Sequence, residues 1–185
     1  MTIDRRTLLT LLPLAPAAAQ SALAAPAADP QNTVYLDTKH GRVVIRLRPD
    51  LAPKTVAQIK TLVKQGFYNG LTFHRVIAGF MAQTGDPTGT GGGGSSLPNE
   101  PAEFTATPFK RGTLGMARTN DPNSGNSQFF ICFADSPFLD GKYTVFGQVV
   151  SGMKVVDQIK KGAPGSGTVT DPDKIVKMQM ASDAK

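Results

Sequence analysis

The sequence predicts a mainly β protein, a closed eight-stranded antiparallel β-barrel capped by two α-helices. Three observations predict it. Eight short runs either alternate apolar and polar residues or are β-branched and aromatic throughout. Only two stretches repeat apolar residues at helical spacing. The 185-residue chain also holds 19 Gly and 14 Pro, which suits a turn-rich β architecture better than a helical bundle. That many strands with so few helices, in about 150 residues, suggests closure into a barrel with helical caps.

Residues 1–28 stand apart from this pattern. Arg5-Arg6, then Thr7-Leu8-Leu9-Thr10-Leu11-Leu12, then an Ala-rich stretch to Ala28 have the layout of a cleavable export signal and the start of a linker. Ala22-Leu23-Ala24 is the best cleavage match, which puts the cut after Ala24; Ala17-Ala18-Ala19 is a second candidate. Pro13 and Pro16 interrupt the apolar run, which is too short to span a membrane. Arg5-Arg6 before two leucines resembles a twin-arginine signal, and the general secretory (Sec) route stays open. The expected location is periplasmic or secreted, with no membrane span after processing. An uncleaved tail is the alternative.

After the linker to Asn32, Val34–Thr38 and Arg42–Leu47 read as a hairpin turning at Lys39-His40-Gly41, with Gly supplying a positive φ. Pro49–Pro53 leads into the first helix, whose apolar stripe is Val56, Ile59, Leu62, Val63 and Phe67, and Gly66 stops it. The stretch Phe73-His74-Arg75-Val76-Ile77-Ala78-Gly79-Phe80-Met81-Ala82-Gln83-Thr84-Gly85-Asp86 reads as two short strands joined at Ala78-Gly79. Residues 109–118 give a turn and a strand, and Ser127–Phe133 a fully buried strand. The turn 135–142 is expected to expose Phe138 and Leu139. Tyr143–Val150 is the next strand. The second helix is expected to be capped by Ser151 and to end at Gly162, and Lys174–Met180 alternates as the last strand.

Several chemistries find no support. Two His and one Cys provide no cluster at metal-ligand spacing, so no metal and no cofactor is expected. Cys132 lies in the run Phe129–Phe133 and reads as a buried, inert thiol. The net charge of +6 is scattered without a basic run, so no nucleic acid is expected as a partner. Gly89-Thr90-Gly91-Gly92-Gly93-Gly94 satisfies G-x-G-x-x-G, but Leu97-Pro98-Asn99-Glu100-Pro101 follows where a helix would have to begin. A long loop beside a binding groove is the better reading. Arg75 is the remaining oddity. A guanidinium on a half-buried strand either points to water or finds planar acceptors.

The block from Phe73 to Asp86 resembles the signature of cyclophilins, the cyclosporin-binding family of peptidyl-prolyl isomerases. Gly89–Gly92, Met116-Ala117, Asn126–Ile131, Phe138–Lys142 and Val145–Val149 follow in the family's order and at near-family spacing. The resemblance covers residues 33–181 and is nearest to the short-loop, exported bacterial form. It implies a barrel domain that accelerates rotation about X-Pro bonds in unfolded or flexible polypeptides and so assists folding. By position it implies Arg75 as the catalytic arginine and Phe80, Met81, Phe130 and Leu139 as walls of the proline pocket. Gln83 matches a glutamine that bonds substrate backbone and steadies the arginine. Ala117 and Gln128 match groove residues, and Arg118 matches a position that contacts substrate through its backbone. Phe138 stands where cyclosporin-sensitive members carry tryptophan, so weak cyclosporin binding is expected. Tyr143 stands where a histidine is frequent. His74, on the opposite face of the strand from Arg75, reads as structural. The expected partners are proline-containing polypeptides, met by a monomer. The competing reading is a non-catalytic proline-peptide binding module or holdase.

Overall fold

The computed structural model describes residues 29–184, so the expected export segment lies outside the described residues. The strands are β1 (Thr33–Thr38), β2 (Gly41–Leu47), β3 (Arg75–Ile77), β4 (Met81–Thr84), β5 (Thr113–Met116), β6 (Phe129–Cys132), β7 (Val145–Ser151) and β8 (Ile175–Met180). Two α-helices, α1 (Pro53–Lys64) and α2 (Met153–Gln158), complete the regular structure. All eight strands belong to one antiparallel sheet in the order β3-β4-β6-β5-β7-β2-β1-β8.

The sheet does not close, which corrects the expectation of a closed barrel. β3 and β8 are its free edges, with no ladder between them, and the result is an open half-barrel. The reason lies in residues 162–169, where Gly162, Pro164, Gly165 and Gly167 break any regular strand. This irregular segment satisfies the edge of β3 instead. Val76 N donates to Gly167 O at 2.7 Å, Gly162 N to Val76 O at 2.8 Å and Val169 N to His74 O at 3.2 Å. Further along the seam, Phe73 N donates to Asp173 O at 2.9 Å.

Strand alternation sorts side chains onto two faces. Val34, Leu36, Val43, Ile45, Phe129 and Ile131 enter the central core, where the α1 stripe of Val56, Ile59, Leu62 and Val63 meets them. Phe67, the last member of that stripe, lies past the helix and packs on the core edge. Gly66 stops α1 as expected, with φ +69°. Its N–H donates to Val63 O and that of Phe67 to Leu62 O, each at 3.0 Å, which is the paired-bond ending that favours glycine. At the other end Ala52 offers no cap. The carboxylate of Glu103, 48 residues on from Thr55, accepts from Lys54 N and Thr55 N at 3.0 and 2.9 Å.

Other local expectations need correction. Ser151 ends β7 rather than capping α2; Gly152, at φ +89°, occupies that position. α2 ends at Gln158, and Gly162 lies in the seam, where a Cβ would collide with Gly167 O. His40 stays in its hairpin turn, with Nε2 2.9 Å from Asp173 Oδ2. Buried Asp173 also meets Lys39 Nζ at 2.6 Å and accepts from Lys160 N at 2.9 Å, which ties the first hairpin to the seam. Burial opposes its charge, but Lys39, the Lys160 amide and His40 overcome that and hold its pKa down at about 2.

Candidate active site

The cross-strand register explains how distant residues meet. Arg75 pairs with Gln83, Gln83 with Phe130, and Phe130 with Gly115, so one row of side chains crosses β3, β4, β6 and β5. In the next row Ile77 pairs with Met81 and Met81 with Cys132. Both rows face away from the central core. They belong to a second apolar cluster of Met81, Phe109, Phe130, Cys132, Leu139 and Val145, edged by Phe80, Ala117 and Tyr143. β6 serves both sides, with Phe129 and Ile131 inside and Phe130 and Cys132 outside.

On this outer face lies a cavity of about 480 Å³. Of the eleven residues singled out in the sequence, it brings together Arg75, Phe80, Met81, Gln83, Ala117, Arg118, Phe130, Phe138, Leu139 and Tyr143. Gln128 lies apart, in a neighbouring polar cavity of about 390 Å³ lined by Gly91–Gly94, Asn126 and Ser124. Gln83, Ala117 and Arg118 belong to both. Leu139 is buried, contrary to its expected exposure, because Pro137–Leu139 forms a 3-10 turn that folds it into the wall. Phe138 is 58% exposed at the rim, its ring centroid 5.2 Å from that of Phe80.

Arg75 is held from two sides. Its Nε donates to Ser166 O at 3.1 Å and its Nη1 to Gln83 Oε1 at 3.3 Å. Gln83 Nε2 donates to Gln128 Oε1 at 2.9 Å, and Gln128 Nε2 donates to the carbonyls of Gly91 and Gly93 at 2.9 and 2.8 Å. A relay of amides thus runs from the glycine loop to the guanidinium. Nη2 donates to no described residue and is the free donor. The loop itself is wound around buried Asp86. Its carboxylate accepts from the amides of Thr88, Thr90, Gly91 and Gly93 and from the Thr88 hydroxyl. Burial works against that charge, but the Thr88 hydroxyl and the amides prevail and lower its pKa to about 2.

Sequence reasoning missed three supports of this site. Phe109, fully buried, stacks on the wall residue Phe130 with ring centroids 5.8 Å apart and backs it from the core of the second cluster. Gly115 leaves the space those two rings fill, since a Cβ there would collide with Cζ of Phe130. The 162–168 loop lies behind Arg75, and a Cβ on Gly167, at φ +75°, would come within 3.2 Å of Arg75 Cγ. None is visible without the register, although the lone Gly between Leu114 and Met116 signals a close approach. His74 is buried beside the glycine loop, where a Cβ on Gly91 would lie 3.9 Å from its ring, and neither ring nitrogen is hydrogen bonded. Burial lowers its pKa, which favours the neutral ring. Burial also raises the Cys132 thiol to about 12, consistent with an inert group.

An apolar cavity of this size fits a small ring. Its walls carry no Ser, Cys, His, Asp or Glu, and the held guanidinium of Arg75 lies at its edge. Such a site offers a hydrogen-bond donor beside a bound ring and no Ser or Cys to act as a nucleophile, an arrangement that suits the class of the peptidyl-prolyl isomerases.

Comparison with known proteins places the chain within that class. Residues 33–180 match the family model "Cyclophilin type peptidyl-prolyl cis-trans isomerase/CLD", and the chain belongs to that family. A "Probable peptidyl-prolyl cis-trans isomerase" of Brucella suis is 58% identical over 173 residues, covering 87% of this chain and 88% of the relative. A peptidyl-prolyl cis-trans isomerase of Helicobacter pylori is 48% identical over 131 residues, covering 69% of this chain and 79% of the relative. Among solved structures, a cyclophilin from Hirschia baltica superposes with a TM-score of 0.76 at 33% identity, over 85% of this chain and 77% of the other. A cyclophilin-type isomerase from Cryptosporidium parvum, solved in the presence of the dipeptide Ala-Pro, gives 0.74 at 31% identity, over 80% of this chain and 98% of the other.

Proposed function

We propose that Arg75 is the catalytic residue of this isomerase and that Phe80, Met81, Phe130 and Leu139 hold the substrate proline. The single observation that carries this reading is the row Arg75–Gln83–Phe130–Gly115. It sets one held guanidinium, with a donor to spare, at the edge of an apolar cavity.

Rotation about an X-Pro bond costs the amide its resonance, a barrier of ~20 kcal/mol that relaxes over tens of seconds or longer unaided. No bond breaks, so no nucleophile is required. As the C–N bond twists, the proline nitrogen becomes pyramidal and gains a lone pair able to accept a hydrogen bond. The free N–H of Arg75 stabilises that twisted state more than either planar one. Each ~1.4 kcal/mol of that difference is worth about tenfold in rate. The guanidinium cannot swing away, because Ser166 O and Gln83 Oε1 hold two of its nitrogens. The cavity walls keep the ring still while the preceding carbonyl turns.

The proposed substrates are proline-containing segments of unfolded or flexible polypeptides, for which the Ala-Pro dipeptide of the Cryptosporidium parvum structure is a minimal counterpart. The proposed site of action is the periplasm, after export directed by Arg5-Arg6 and the apolar run behind it. The protein is proposed to act as a monomer, since the described residues of one chain complete the cavity. Cyclosporin is proposed to bind weakly, because Phe138 has no ring N–H to donate.

The test follows cis-to-trans relaxation of an Ala-Pro peptide at micromolar protein. Relaxation well above the uncatalysed rate supports the reading. Peptide binding without acceleration would instead make the chain a holdase.

A further inference from the structure

The apolar cavity is edged by three cations, Arg75, Arg118 and Lys142, and no carboxylate lines it or the polar cavity beside it. Elsewhere among the described residues three of the four arginines are neutralised by an aspartate, Arg46 being the exception. Arg42 meets Asp37 at 2.7 Å, Arg48 meets Asp50 at 2.7 Å and Arg111 meets Asp157 at 2.7 Å. At the cavity the pattern changes. Arg118 donates from Nε and Nη2 to Lys142 O at 3.2 and 3.0 Å and from Nη1 to Thr119 O at 2.8 Å. Its guanidinium carbon lies 4.5 Å from the centroid of Tyr143 and 6.0 Å from that of Phe104. Carbonyl bonds and aromatic rings fix its position without cancelling its charge. Among the described residues, none of the three cavity cations forms a salt bridge.

Arg118 is also shared by the two cavities, whereas Lys142 lines only the apolar one. A peptide with its proline ring in the apolar cavity and a neighbouring side chain in the polar one must pass Arg118. We propose that Arg118 and Lys142 select substrates with an acidic residue within two positions of the proline. This inference rests on the proposed placement of the proline ring in the apolar cavity. The rigid guanidinium makes the stronger contribution because it is already ordered when the substrate arrives. Complementary charge at a partly desolvated rim raises encounter and binding together and fades as salt screens it.

The experiment compares kcat/KM for peptides bearing Glu, Ala or Lys at each of the two positions before proline and the two after it. Wild type, Arg118→Gln, Lys142→Gln and the double reversal Arg118→Glu/Lys142→Glu are measured at low and high NaCl. The readout is the Glu-to-Lys ratio for each enzyme, so a general loss of activity in a variant does not count. Wild type should favour Glu over Lys at one position by about fivefold, the scale of one or two rim charges. The ratio should shrink in each glutamine variant and in high salt, and invert in the double reversal. A wild-type ratio near one at all four positions would overturn the proposal, as would a ratio indifferent to both variants and to salt. The Ala peptides separate the two readings: turnover of them without charge preference removes this proposal alone, whereas no turnover of any peptide removes the proline-site reading beneath it.

Discussion

The two faces of β6 are one residue apart in sequence and play opposite roles. Phe129 and Ile131 point into the central core, where α1 and the strands bury aliphatic and aromatic volume. Phe130 and Cys132 point outward into a smaller cluster whose edge carries Arg75, Gln83 and Arg118. Inside, what counts is volume removed from water. Outside, what counts is where each atom lies relative to a bound ring. The inner face should therefore answer to mutation in stability, and the outer face in turnover.

The largest expected effect is on the inner face. Phe129→Ala empties a fully buried ring and should cost about 3–5 kcal/mol in chemical denaturation, while leaving activity per folded molecule nearly unchanged. Gly115→Ala sharpens the contrast from the other side. Its Cβ must displace Phe130 or Phe109, so kcat/KM should fall at least about tenfold with a stability loss of about 1–3 kcal/mol. If this variant lost stability alone, the outer cluster would be ordinary core.

Acid should reach the loops that frame the site. Asp86 and Asp173 have folded-state pKa values held at about 2, below the ~4 of an unfolded aspartate. The unfolded chain therefore binds more protons as pH falls, and the stability these groups contribute above pH ~4 is lost between about pH 4 and pH 2, on the order of 2 kcal/mol each. Asp86→Asn, followed by thermal unfolding against pH, should flatten part of that decline. Gln83→Ala cuts the relay to the guanidinium and should lower kcat/KM by about tenfold, since Ser166 O still holds the other side. The smallest effect expected is on ligand affinity. Phe138→Trp supplies a ring N–H at an exposed rim position and should tighten cyclosporin by about tenfold, read by calorimetry.

The same contrast explains what the sequence could reveal. Alternation and helical spacing located the strands and both helices, because each is a local consequence of which side chains face the core. The ordered motifs singled out Arg75 and ten further residues, and ten of these eleven line one cavity. What stayed hidden depends on register or on distant chain. Gly115 is silent until β5 is paired with β6, and Glu103 caps α1 from beyond the glycine loop. Ser166 lies in a segment without periodicity, yet its carbonyl holds Arg75. The open seam was missed for the same reason: eight alternating runs do not reveal that a Gly/Pro-rich segment lies between the two edge strands.

The central claim is that Arg75 acts on the bond and not on the fold. It is tested most directly by Arg75→Ala, measuring relaxation of an Ala-Pro peptide and thermal unfolding on the same preparations. Losing one aligned donor should lower kcat/KM by about 10²–10³-fold, while a half-exposed side chain bonded mainly at its tip should leave the unfolding midpoint close to wild type. Activity within about twofold of wild type in a stably folded variant, a difference of only ~0.4 kcal/mol, would contradict the account.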